Sequence, residues 1–93
     1  MSAGDALRLE GEITLATASG WRARGRAALV AGVRVVDFAA VTHVDSAALA
    51  LLLEWRRCAR AGAGGPLRVA NLPPALVSLA EVYGIDSLLP VAA

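Results

Sequence analysis

Within four consecutive positions, His43, Asp45 and Ser46 supply the side-chain types of a Ser-His-Asp hydrolase. That chemistry needs a nucleophile, a base and an orienting acid converging on one atom, with donors placed to hold an oxyanion. Neighbouring positions in a chain do not meet that requirement, and neither a Gly-x-Ser-x-Gly elbow nor a Gly-rich oxyanion loop accompanies the three residues. The chain contains no Gly-x-x-x-x-Gly-Lys phosphate loop, so it is not expected to hydrolyse ATP. One histidine and one cysteine, Cys58, give neither a zinc ligand set nor a disulfide framework. The residues therefore predict no catalytic site, no metal and no cofactor.

What the same segment does offer is a helix start. A short apolar strand ends near Asp37, a connection follows, and Asp45-Ser46 precede a long apolar-periodic run. Asp and Ser are preferred helix caps. A helix N-terminus exposes unpaired N–H groups and a partial positive charge, and so favours carboxylates and phosphates. Capping accounts for one of the two residues. The sharper reading makes Ser46 a contact point or a phosphorylation point as well.

A helix over 46–61 tests this by its faces. At about 100° per residue, Ala48, Leu51, Leu52, Trp55, Cys58 and Ala59 cluster on one side, and this is the predicted core stripe. The opposite side carries Ser46, Leu49, Ala50, Leu53, Arg57 and Arg60. Leu49 and Leu53 are thus expected to face solvent beyond Ser46, and an apolar patch flanked by arginine reads as a protein-docking face. The predicted partner-binding residues are Thr42, His43, Asp45, Ser46, Leu49, Ala50, Leu53 and Arg57, with Thr42 and His43 on the rim.

The elements that must position this face follow from the flanking sequence. Residues 6–10 alternate as a strand with one wet face, Gly11 reads as a turn or bulge, and residues 13–15 read as a short second strand. A helix is predicted over 17–31, capped by Thr17 or Ser19 and ended by Gly32, with Ala18, Trp21, Gly25, Ala28 and Leu29 inward. Residues 33–38 predict a strand apolar enough for burial on both faces. Gly62-Ala63-Gly64-Gly65-Pro66 breaks the chain before a strand at 67–70. Leu72-Pro73-Pro74 opens a third helix, with Leu76, Leu79, Ala80 and Tyr83 as its stripe, and residues 85–90 form a last short turn.

At 93 residues, 57% of them hydrophobic, the chain predicts one domain over 1–93 with an ordered core over about 6–90. All nine basic residues are arginine and the net charge is +1, too weak a field to draw nucleic acid. The longest wholly apolar run has seven residues, from Ala47 to Leu53, against the roughly 20 needed to cross a bilayer. The first five residues lack the pattern of a secretory signal, so a cytoplasmic location is expected.

The run from Asp37 to Leu53, with its Val44-Asp45-Ser46-Ala47-x-Leu49-x-Leu51-Leu52 centre, resembles the signature of STAS domains, the fold shared by sulfate transporters and anti-sigma-factor antagonists. Asn71-Leu72-Pro73 and Leu76-x-x-Leu79-Ala80-Glu81-Val82-Tyr83-Gly84-Ile85 resemble the C-terminal part of the MlaB branch. The resemblance covers nearly the whole chain. It implies an α/β fold with a four- to five-stranded mixed sheet and helices mainly on one face. It also implies a non-catalytic subunit that binds and supports the cytoplasmic ATPase of an ABC transporter moving phospholipid to maintain outer-membrane asymmetry. Such a subunit would be held at the inner membrane through its partners, with no insertion of its own. The family's functional hydroxyl falls on Ser46, and in anti-sigma-factor antagonists that position is the serine phosphorylated by a partner kinase. Ala48 departs from the family pattern, since many members have glycine there.

Overall fold

The computed structural model describes residues 6–89 of the 93. Residues 1–5, and Pro90 at the end of the expected last turn, lie outside that range. The elements are β1 (Ala6–Ile13), α1 (Ala18–Val30), β2 (Val35–Val44), α2 (Ser46–Ala61), β3 (Arg68–Ala70), α3 (Pro74–Val82) and a 3-10 turn at Asp86–Leu88.

Among the described residues the sheet has three strands in the order β1-β2-β3, all parallel, in place of the expected four to five in a mixed sheet. Two local features explain the difference. Gly11, at φ +69°, does not end β1; it absorbs a register shift against β2 and lets the strand run on to Ile13. Residues 14–17 then form a turn, not a second strand. The Thr17 hydroxyl accepts from the Thr14 N–H at 3.0 Å and donates to the Glu12 carbonyl at 2.9 Å. A helix lies in each connection between strands and supplies the crossover that these parallel pairs require.

Right-handed crossovers taken in steady order across a sheet place successive helices on the same face. Burial agrees. Leu9, Ile13, Val36, Phe38 and Val69 are buried, while Arg8, Glu10, Glu12 and Arg68 are exposed. β2 is therefore covered on one face, not two: Val36 and Phe38 are buried, while Val35 and Asp37, which alternate with them, are half-buried. The strand is also longer than expected, running through 41–44 to deliver the chain to α2.

One cluster of apolar side chains joins the sheet face to the three helices. Trp55 lies at its centre at 1% exposure, with Trp21 on α1 also buried. The Trp55 ring crosses α1 at Gly25, where any Cβ would overlap its Cε2, Cζ2 and Nε1 atoms. The Arg22 Nε lies 3.2 Å from Glu54 Oε2, an ion pair between α1 and α2 beside that crossing. Tyr83 is exposed, so it is not part of the α3 core stripe.

A polar tie closes the sheet's upper end. Asp37 Oδ1 accepts from the Asn71 side-chain amide at 2.9 Å and from the Ala39 N–H at 2.9 Å. Asn71 sits at φ 56°, a left-handed conformation that asparagine tolerates better than most residues. The Asn71 bond, the Ala39 amide and the nearby Arg8 charge hold the Asp37 carboxyl below its usual 3.8, against a smaller opposing effect of burial. A depressed carboxylate contributes stability above its unfolded value and loses it as pH falls through the folded one. Replacing Asn71 by glycine keeps the backbone conformation and removes the amide. Asn71→Gly is expected to make unfolding free energy fall less steeply below about pH 4 than in the wild type. Urea titrations near neutrality and at about pH 3 measure this; an unchanged acid slope contradicts the assignment.

Candidate docking face at the start of α2

The junction between β2 and α2 is fixed by Asp45. Its backbone is extended, and its Oδ1 accepts from the Ala47 N–H at 2.8 Å, so Asp45 is the N-cap and Ser46 the first helical residue. Its second oxygen is also engaged: Oδ2 accepts from the Leu15 N–H at 3.1 Å. The Asp45 N–H reaches the Ile13 carbonyl at 3.3 Å. One residue thus starts α2 and anchors the turn between β1 and α1. Ser46, relieved of capping, is exposed at the helix N-terminus.

Of the expected face, Ser46, Ala50 and Arg57 are exposed and lie on one side of α2. Leu53 is half-buried, and Arg60 extends the same exposed side. Leu49, expected to face solvent, is instead 3% exposed and belongs to the core. It lies about 100° round the helix from Ala48. Because α1 and α3 both flank α2, the buried arc is wide enough to take it in. Cys58, expected in the core stripe, is half-buried at its edge. Ala48 is buried at 1% exposure, on the core side as the wheel placed it.

Thr42 and His43 are exposed near the C-terminal end of β2, and with Val41, Val44, Pro73 and Ala75 they line a groove of about 180 Å³ against the start of α3. Among the described residues no hydrogen bond joins His43 to Asp45 or Ser46, and each Asp45 side-chain oxygen accepts from a backbone amide. Two parts of this region were missed by sequence reasoning. One is the groove wall from Pro73 and Ala75. The other is Leu15, 81% exposed and tied by its backbone to Asp45. An apolar residue between Thr14 and Thr17 in a turn was the available signal for Leu15.

A larger concavity, about 610 Å³, lies at the far ends of α1 and α2 beside the Gly-rich loop. Arg34 fills its wall, donating to the carbonyls of Leu29, Val33 and Gly65, each at 2.9 Å. Those bonds close the end of α1 and hold the loop, which is a structural task. Among the described residues no group of three potential metal ligands comes together, and no helix is long and apolar enough to cross a membrane.

Crossover helices thus lie on one face of a parallel sheet, and an Asp-Ser pair starts α2 at the end of the central strand. The family model described as "Mlab, STAS domain" matches residues 2–90, and the chain belongs to that family. Two solved structures share the fold. The anti-sigma factor antagonist SpoIIAA in its unphosphorylated form is 23% identical, with a TM-score of 0.61 over 89% of this chain and 86% of that one. The Bacillus cell fate determinant SpoIIAA in the phosphorylated form is 23% identical, with a TM-score of 0.63 over 95% of this chain and 81% of that one. No curated protein matches this chain.

Proposed function

We propose that this protein is a non-catalytic STAS subunit that binds and supports the cytoplasmic ATPase of an ABC transporter moving phospholipid, in the service of outer-membrane lipid asymmetry. The observation that carries this reading is membership of the MlaB-type family along residues 2–90. The face around Ser46 is its docking surface, with Ala50, Leu53, Arg57, Thr42 and His43 as contacts and Asp45 as the residue that shapes it. Leu49 supports the face from beneath. The protein works in the cytoplasm and reaches the inner membrane through its partner, without catalysis, cofactor or nucleic acid.

A second reading has a specific observation in its favour. The fold is shared with an anti-sigma factor antagonist solved in phosphorylated and unphosphorylated forms, and Ser46 is exposed where a kinase could reach it. On that reading the partner is a kinase-type anti-sigma factor and Ser46 is the modified residue.

Co-expression of the tagged protein with the transporter ATPase subunit tests the first reading. The ATPase is expected to co-purify in a stable stoichiometric complex. Capture of a kinase-type anti-sigma factor, with no retention of the ATPase, would instead support the second.

A further inference from the structure

The concavity of about 610 Å³ at the far ends of α1 and α2 falls in the size range of small-molecule sites, about 300–1,000 Å³. Its wall is apolar where the helices meet, with Leu29 and Val30 from α1 and Cys58 and Ala61 from α2. Val30, at 86%, is the most exposed large apolar side chain among the described residues. The two charged groups on the wall, Arg26 and Arg34, are both cationic, and no acidic side chain lines it. Neither is in an ion pair among the described residues. Arg34 is pinned in place: its Nε donates to the Gly65 carbonyl and its Nη1 to those of Leu29 and Val33. A guanidinium has five N–H donors, so the two on Nη2 are left without a hydrogen-bond partner among the described residues. Nη2 lies beside Gly62 and Gly64, where a Cβ would come within 2.9 and 2.8 Å of it, so a side chain at either position would crowd the guanidinium. Bare helix C-termini would repel an anion here. The last α1 carbonyls are already satisfied: Ala27 accepts from Ala31, Ala28 from Val33, and Leu29 from both Gly32 and Arg34. On α2, Ala59 accepts from Gly62. The donor capacity left over therefore belongs to the two arginines.

We infer that this concavity binds a single-chain amphiphile, an acyl or alkyl chain that ends in an oxyanion. The apolar wall gives the chain a surface to leave water against. The free Nη2 edge of Arg34 and the Arg26 guanidinium supply charge-assisted hydrogen bonds to a carboxylate or phosphate head. The pinned guanidinium is preorganised, so little side-chain freedom is lost on binding. The inference goes beyond the functional reading above and does not rest on it, since the concavity lies at the opposite end of α2 from Ser46.

Titration of the full chain with decanoate, decyl phosphate and the neutral decyl maltoside, each below its micelle concentration, tests the assignment. Both anions are expected to bind saturably, once per chain, and about tenfold or more tighter than the maltoside, the scale of a charge-assisted hydrogen bond. Butyrate and inorganic phosphate should bind far more weakly, because each methylene removed from water is worth about two- to fourfold. Amide NMR shifts should change over residues 26–34 and 58–65 and not over 42–50. Arg26→Gln and Val30→Asn change exposed side chains, so melting of both should stay near that of the wild type. Arg26→Gln should cut the preference for the anions by about threefold, as loss of one exposed charge does. Val30→Asn should weaken all three decyl ligands together. Absence of saturable binding by either anion overturns the inference, and so does equal affinity for the maltoside. Inorganic phosphate binding as tightly as decyl phosphate would show an anion site that takes no chain, and shifts confined to the Ser46 end would show a different site; each overturns it as well.

Discussion

Gly25→Ala is expected to destabilise the protein by about 1–3 kcal/mol, the usual cost of forcing a carbon into a packed core. The new Cβ would overlap three atoms of the Trp55 ring, and Trp55 has no room to move: it is 1% exposed and among the largest fully buried side chains. Removing the ring costs more, roughly 3–5 kcal/mol for Trp55→Ala. These are large fractions of the 5–15 kcal/mol typical of a domain. The same helix contains its own control. Gly20 is exposed with open space around its Cβ position, so Gly20→Ala is expected to stabilise by about 0.5–1 kcal/mol through helix propensity alone. Two identical substitutions in α1 should therefore have opposite signs. In a Trp55→Leu background the Gly25→Ala penalty should shrink, because the two sites share one contact. Urea denaturation of the set measures all of this. A neutral or stabilising Gly25→Ala would show that α1 and α2 do not cross as described.

The Gly25–Trp55 crossing also shows which features were legible in the sequence. Periodicity placed both residues on inward stripes, but nothing local paired them across 30 positions. What is local was legible. The cap, the start of α2 at Ser46, Pro74 in the first turn of α3, and the glycines after α1 and α3 all follow from near-neighbour chemistry. Leu49 was misplaced because a helical wheel gives the direction of the core and not the width of the buried arc, and that width depends on two flanking helices. The strand count failed where residues 13–15 carried strand-like alternation, while a hydroxyl at Thr17 closed a turn. The Asp37–Asn71 and Asp45–Leu15 bonds span 34 and 30 positions, and no residue type announces such a partner in advance.

Ser46→Glu is expected to abolish partner binding and leave the fold intact. The structure separates the two effects. Asp45, not Ser46, supplies the cap, so replacing Ser46 removes no bond on which α2 depends. The new carboxylate would sit at a helix N-terminus, whose free N–H groups and dipole favour negative charge by about 0.3–1 kcal/mol. Thermal melting should therefore change little. The docked state has no such compensation. A partner closing over Ser46, Ala50 and Leu53 would bury the charge next to the Asp45 carboxylate, and an unpaired buried charge costs several kcal/mol. At about 1.4 kcal/mol per decade, affinity should drop by two orders of magnitude or more. Ser46→Ala loses at most one neutral hydrogen bond and should cost no more than about 1.5 kcal/mol. Phosphorylation of Ser46 is expected to act as Ser46→Glu does, more strongly for its larger charge. Calorimetric titration of the ATPase subunit, paired with melting of each variant, reads both effects. If Ser46→Glu binds like the wild type, Ser46 is outside the interface.

The proposed docking surface is the start of α2. Amide hydrogen exchange on the complex with the ATPase subunit, compared with the free protein, tests it most directly. New protection is expected along residues 42–57, with the far ends of α1 and α2 unchanged. Protection confined to the concavity around Arg26, Val30 and Gly62 at those far ends would contradict it and move the interface to the opposite end of the molecule.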